Sequence, residues 1–255
     1  MKYLIIGTGG TGGCIGSLLA LDNNDVSFIA RGKNLKQIKK FGIKLKTGIK
    51  GDLYLPSVRV FSGEEYNDKV DVIFICVKSY SLDDIIPIII NASHENTIII
   101  PTINGYGIGE KISKKVNIGH VLDGCIYISA FTDDSGLIIQ LGKLFRIVFG
   151  TRKNDLINSY LLSSVKDSLS NCGIEAILSD KIERDVFKKF SFISSFASCA
   201  AYYDVTAKSM QQQGQCREKF KKLCEEIKQI ANKLELEIDV DITETNLKIL
   251  DSLTP

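Results

Sequence analysis

Six residues, Gly7-Thr8-Gly9-Gly10-Thr11-Gly12, constrain this chain more than any others. They form a G-x-G-x-x-G directly behind the apolar run Lys2–Ile6 and at the start of a stretch, Gly10 to Leu21, that reads as a helix. The spacing suits a strand turning sharply into a helix: Gly7 permits the tight turn, Gly9 lets backbone approach a pyrophosphate, and Gly12 packs helix on strand. The helix N-terminus then offers unpaired N–H groups and a partial positive charge to phosphate. Glycine turns are common, so the motif alone is generic. Its place between the first strand and the first helix is what points to a bound dinucleotide.

The rest of the first 150 residues keeps the same rhythm. Asp25–Ala30, Val70–Val77 and Thr97–Ile100 read as strands, the last two apolar nearly throughout, as central strands buried on both faces should be. Helices are expected over Asn34–Phe41 and Leu82–Asn91, and two or three short strands over Ile43–Phe61 with turns at Gly48 and Gly51. Val121–Ala130 and Leu137–Leu141 flank Asp133-Asp134-Ser135-Gly136 as a hairpin, and Phe145–Phe149 reads as a further edge strand.

After Gly150 the texture becomes helical. Leu156, Ile157, Tyr160, Leu161, Val165 and Leu169 follow a helical period, and Ile174–Leu178 is a short linking strand. A second helix carries Ile182, Val186, Phe190, Ile193, Ala197 and Ala200. A third carries the seam Cys216, Phe220, Leu223, Ile227, Ile230 and Leu234. Asp241-x-x-Glu244 is a capping box opening a last helix through Leu247, Leu250 and Leu253. The expected fold class is therefore α/β, with a parallel-sheet dinucleotide-binding domain over residues 1–150 and an all-α domain over 151–255.

Composition removes several function classes. With 32 Lys+Arg against 30 Asp+Glu the net charge is +2, which leaves no electrostatic footprint for nucleic acid. No apolar run approaches the roughly 20 residues that span a bilayer, and the N-terminal apolar segment is too short for a signal peptide, so a cytoplasmic protein is expected. Seven cysteines without a CxxC pair read as buried reduced thiols, and the solitary His94 and His120 give no ligand cluster, so no metal is expected.

The end of the second strand selects the dinucleotide. An NAD site wants Asp or Glu there to accept from the ribose 2′-OH. Here the chain runs Phe28-Ile29-Ala30-Arg31-Gly32-Lys33-Asn34, with no acid and with Arg31 and Lys33 where a 2′-phosphate would lie. A guanidinium suits that phosphate by bidentate bonding, which points to NADP. Lys78 and Asn104 follow two central strands, at the carboxyl ends where open α/β sheets bind ligands.

Lys189 is the most informative single residue. Wound as a regular helix from Ile182, the chain brings Val186, Ile193, Phe196 and Ala200 onto one narrow apolar stripe. Lys189 falls inside that stripe, while Lys188 falls well to one side of it, where a solvent-facing lysine belongs. A buried lysine has a lowered pKa, which suits a proton donor near neutral pH.

With these residues in place the chain resembles the ketopantoate reductase (2-dehydropantoate 2-reductase) family. The likeness runs in order through the glycine motif, Ala30-Arg31-Gly32, Val77-Lys78, Asn104-Gly105, Gly124 to Ala130, and Phe187-x-Lys189-Phe190. It implies a Rossmann-type domain followed by a helical one, with the active site in the cleft between them. It also implies NADPH-dependent reduction of 2-dehydropantoate to (R)-pantoate in pantothenate biosynthesis. By that likeness Lys78, Asn104 and Ala130 contact cofactor or substrate, and Lys189 is the catalytic lysine. Lys78, Asn104 and Lys189 form the implied substrate set.

Two departures from the family pattern stand out. Many members carry asparagines one and two turns after the lysine, where this chain has Ile193 and Ala197. The family also continues past a segment like Leu250–Pro255 into a serine-bearing loop and a helix with a glutamate, so a shortened chain is expected. The departures leave two other readings open: a related NADP-dependent reductase of another 2-keto acid or an imine, and a non-catalytic NADP-binding module. The seam of the third helix is more simply internal packing than a homodimer interface, although the helical half could serve both.

Overall fold

The computed structural model describes residues 1–152 and 157–253. Leu156, which opens the expected helical period, lies outside them, as do Thr254 and Pro255. The chain divides into two compact units. Met1–Ile103 and Gly107–Ile182 make the first, and Asn104–Tyr106 with Glu183–Pro255 the second.

In chain order the first unit contains β1 (Lys2–Ile6), α1 (Gly10–Leu21), β2 (Asp25–Ile29), α2 (Gly32–Phe41), β3 (Ile43–Thr47), β4 (Gly51–Leu55), β5 (Arg59–Phe61) and β6 (Val72–Ile75). A 3-10 turn at Ser79–Ser81 leads to α3 (Leu82–Ala92), β7 (Ile98–Pro101), α4 (Ile108–Ser113) and β8 (His120–Val121). Then come β9 (Asp123–Thr132), β10 (Ile138–Gly150), α5 (Ser159–Asn171) and β11 (Glu175–Leu178).

Six strands form a sheet in the order β5-β2-β1-β6-β7-β8, parallel at every pairing. Both β6 and β7 are buried at all four positions, as their unbroken apolar runs predict. The order reverses at β1, between β2 and β6, which is the place where open α/β sheets hold ligands beyond their carboxyl ends.

A second sheet runs β11-β10-β3-β4, with β9 along β10. Helix α1 packs on β1 and β2 on one side and on β3, β9 and β10 on the other. That placement explains why every residue from Gly12 to Leu19 is buried and why the helix lacks a polar face. Its glycines are the contact points. A Cβ on Gly13 would stand 2.2 Å from Ile138 of the second sheet, and one on Gly16 would stand 2.2 Å from the Phe28 ring of the first.

Phe145–Phe149 is not the edge strand the sequence suggested. It is the second half of β10, continuous across an irregularity between Leu141 and Phe145, and it pairs with β9 on one side and β11 on the other. Gly142, at φ +69°, makes the break that split one strand into two in the hydrophobic pattern. The unit boundary also lies at Ile182 rather than near residue 150. Strand β11 extends the second sheet in parallel with β10, and Leu162, Val165 and Leu169 of α5 join the same apolar core as Tyr3, Phe28 and Phe149.

The second unit is helical: α6 (Ile182–Tyr203, its first residue in the other unit), α7 (Ala207–Gln211), α8 (Gln215–Lys233) and α9 (Ile242–Ser252). Its core gathers Phe192, Cys199, Met210, Phe220, Cys224 and Leu250. On α8 the buried face runs through Phe220, Cys224 and Ala231, while Ile230 and Leu234 of the expected seam are exposed. Small residues mark the close approach: buried Asn246 of α9 donates to Ser191 Oγ at 3.1 Å and to Cys224 Sγ at 3.6 Å. Asp241 caps α9 as expected, its Oδ1 accepting from Glu244 N at 3.0 Å.

Candidate cofactor and catalytic sites

The turn after β1 is fixed from three sides. Gly7, at φ +98°, donates its N–H to Ile29 O at 3.1 Å, and a Cβ there would meet Val77 and the Cys76 carbonyl at about 3 Å. Thr8 is buried and its Oγ1 also donates to Ile29 O, while Asn34 Nδ2 donates to Thr8 O at 2.7 Å. Gly12 lies so close that a Cβ would stand 2.1 Å from Gly7 O.

Gly9 is different. It caps α1 with φ −90°, no side chain accepts from the first turn, and no acid lies in that turn. A Cβ on Gly9 would have no atom within 4 Å. The helix thus begins with open N–H groups beside open space, which suits a pyrophosphate. Gly10 borders the same place, since its Cβ would stand 2.6 Å from the backbone of Ala130 on β9. The structure therefore brings Ala130 against the glycine turn. Thr11, half-buried, completes the opening turn.

Arg31 follows β2, caps α2 and is exposed, with Nη2 donating to Ser81 Oγ at 3.1 Å. Lys33 is exposed in the next turn, and no carboxylate stands at the end of β2 or in the turn after it. Lys78 follows β6 and is exposed at the start of the 3-10 turn, where its carbonyl accepts from Ser81 N at 2.9 Å. So Ser81 ties the segment after β2 to the segment after β6. The sequence reading missed it because a lone serine on a polar turn carries no period.

In the helical unit, Asn104 Oδ1 accepts from Lys189 Nζ at 2.8 Å. Two residues from different parts of the chain, each singled out in the sequence, are thereby joined. Lys189 is half-buried, not tucked deep among hydrocarbon as its place on the wheel suggested. The face of α6 counted from Ile182 is only partly covered beyond Val186: Ile193, Phe196 and Ala200 are each half-buried and Ala197 is exposed. The better-buried face there runs through Phe187, Ser191, Phe192, Ser195 and Cys199, whose small polar members disguise it. Nor is Lys188 a free surface lysine. Half-buried, it bonds Asp239 and holds that carboxyl below the usual carboxylate range.

Neither Ile193 nor Ala197 carries a side-chain hydrogen-bonding group. Of the nearby serines, Ser191 Oγ donates to Lys188 O and Ser194 Oγ donates to Phe190 O, both at 2.7 Å. Tyr106, unremarked in the sequence because it stands alone between two glycines, packs on Phe187 and Phe190 on either side of Lys188 and Lys189.

Comparison with known proteins follows the same division. The model of ketopantoate reductase PanE/ApbA matches residues 3–154, and that of its C-terminal part matches residues 181–255. An uncharacterized oxidoreductase of Bacillus subtilis, YkpB, is 32% identical over 203 residues, an alignment spanning 80% of this chain and 65% of that protein. A 2-dehydropantoate 2-reductase of Aquifex aeolicus is 25% identical over 240 residues, spanning 92% of this chain and 74% of the relative.

Among solved structures, 2-dehydropantoate 2-reductase from Porphyromonas gingivalis superposes with a TM-score of 0.87 at 27% identity, covering 99% of this chain and 89% of that one. D-mandelate dehydrogenase, solved with NADH and anilino(oxo)acetate, shares the fold with a TM-score of 0.88 at 20% identity, covering 99% of this chain and 81% of that one. Among the described residues no helix is long and apolar enough to cross a membrane, and no cluster of three His, Cys, Asp or Glu could hold a metal ion.

Proposed function

Because the chain belongs to the ketopantoate reductase family of oxidoreductases, we propose that it reduces 2-dehydropantoate to (R)-pantoate with NADPH. The observation that carries the reading is the Lys189–Asn104 hydrogen bond, which places an oriented amine on the helical unit. When bound, NADPH supplies the hydride. The glycine turn from Gly7 to Gly12 holds the pyrophosphate on the open end of α1, with Ala130 beside it. Arg31, anchored by Ser81, takes the 2′-phosphate that separates NADP from NAD. Lys78 and Asn104 bind at the reacting end.

Lys189 gives a proton from Nζ to the substrate's carbonyl oxygen as that oxygen becomes an alkoxide, so ketone, hydride and proton balance to the alcohol. Asn104 Oδ1 accepts a different Nζ hydrogen and fixes the amine's direction.

Ile193 and Ala197 favour a second reading, reduction of a 2-oxo acid without the hydroxyl of 2-dehydropantoate, because they offer that hydroxyl no partner. The test is NADPH oxidation followed by absorbance with 2-dehydropantoate and with 2-oxo acids of similar size lacking the hydroxyl. The primary reading expects the highest kcat/KM with 2-dehydropantoate. A higher value with the deoxy acids moves the substrate to the second reading. NADPH binding without turnover of any of them leaves only a binding module.

A further inference from the structure

Asn104 opens a glycine-rich segment between β7 and α4. In Asn104-Gly105-Tyr106-Gly107 both glycines have positive φ, +153° and +70°, so Tyr106 is the one side chain between them able to fix the backbone. Its ring meets Phe187 edge-on at 5.1 Å between centroids and lies tilted against Phe190 at 6.3 Å, and these two rings meet each other at 5.8 Å. Phe187 is fully buried, and the same apolar cluster takes in Ala231 of α8 and Ile242 of α9. The three rings thus bind a glycine-flanked segment to a helix whose own position is set by the core of its unit. Lys189 sits on that helix between the two phenylalanines, and Asn104 stands two residues before the tyrosine.

We propose that Tyr106 is a positioning residue: it acts through Asn104, seating the Asn104 amide where Lys189 Nζ can bond it. This rests on the reading of Lys189 as proton donor, although the contact itself does not depend on any substrate. Edge-to-face geometry makes the seat directional, which greasy contact alone would not achieve. A tyrosine ring has two side-chain torsions to fix, so ordering the segment this way loses little entropy.

The test compares Tyr106→Ala, Tyr106→Phe, Asn104→Ala and the Tyr106→Ala/Asn104→Ala double variant in the intact chain. By turnover, Tyr106→Ala lowers kcat about tenfold with KM for NADPH within about twofold of wild type, and Tyr106→Phe restores kcat to within about twofold. The double variant is no slower than Asn104→Ala, because the tyrosine acts through the asparagine. Multiplying losses, or a phenylalanine variant as slow as the alanine one, overturns the proposal.

The ammonium resonance of Lys189 in 1H–15N spectra reads the same contact without turnover. It moves in Asn104→Ala, moves alike in Tyr106→Ala, and stays put in Tyr106→Phe. A resonance that Tyr106→Ala leaves in place refutes the clamp even if no 2-oxo acid is reduced. A moved resonance in a chain that reduces none keeps the clamp and removes only the assigned activity. Should Tyr106→Ala not fold, Tyr106→Val carries the same comparison.

Discussion

Gly12 and Gly9 belong to one motif but should fail in opposite ways when changed to alanine. At Gly12 the new Cβ would stand 2.1 Å from Gly7 O, about 1.3 Å inside ordinary van der Waals contact, and the obstructing atom is backbone. Helix α1 cannot simply back away, since Gly13 already faces Ile138 of the second sheet at 2.2 Å from a notional Cβ. Overpacking of this kind costs about 3 kcal/mol, and the better helix propensity of alanine returns about 1. The net loss of about 2 kcal/mol corresponds to a fall in Tm of roughly 4–8 °C for a chain of this size.

At Gly9 the Cβ points into open space from a backbone that any residue adopts, so the loss is confined to a poorer N-cap and Tm falls by less than about 3 °C. There the methyl occupies the approach of the pyrophosphate, and NADPH binding weakens at least tenfold, about 1.4 kcal/mol. Thermal melting and NADPH fluorescence titration on the two variants separate the effects. If Gly12→Ala melts with wild type, α1 is not clamped between two sheets. If Gly9→Ala binds NADPH as wild type does, the phosphates do not lie where the motif places them.

The cofactor and the buried thiols give further predictions. Arg31→Ala should raise the Kd for NADPH roughly 10- to 100-fold, the worth of a charge-assisted phosphate contact, and change that for NADH less than about threefold; equal losses for both would take the 2′-phosphate away from Arg31. Burial pushes the Cys14 thiol up to about 12, and burial followed by the nearby Asp22 charge pushes Cys172 up to about 11. Both thiols stay protonated in the folded chain while their unfolded counterparts ionise near pH 8.5, so their contribution to stability is complete below that pH and lost between about pH 9 and the folded values. Urea midpoints at pH 8 and pH 10 should show the fall, and thiol titration of folded protein at pH 8 should leave both unreacted; rapid reaction of either refutes the burial argument.

The sequence was most legible where one residue type has one structural use. The glycine motif located β1 and α1 to the residue, because a strand, a turn and a close helix contact each demand glycine at a set place. The continuous apolar runs of β6 and β7 marked central parallel strands for a similar reason. Periodicity misled where burial is achieved by small polar residues. Ser191, Ser195 and Cys199 form the close-packed side of α6, so the visible apolar stripe carrying Lys189 was its looser side. A bulge cut β10 in two on paper, and the short helices α4 and α7 span too few turns to show a period. Tyr106 and Ser81 act through contacts distant in sequence, which no local pattern encodes.

The central claim is that Lys189 supplies the proton, and replacing it tests this most directly. Single-turnover and steady-state NADPH oxidation with 2-dehydropantoate by wild type and Lys189→Ala should differ by roughly 10²- to 10⁴-fold in kcat, the range of a general acid, with the Kd for NADPH little changed. A variant that retains kcat within about tenfold would contradict the claim and leave the Lys189–Asn104 bond a structural contact alone.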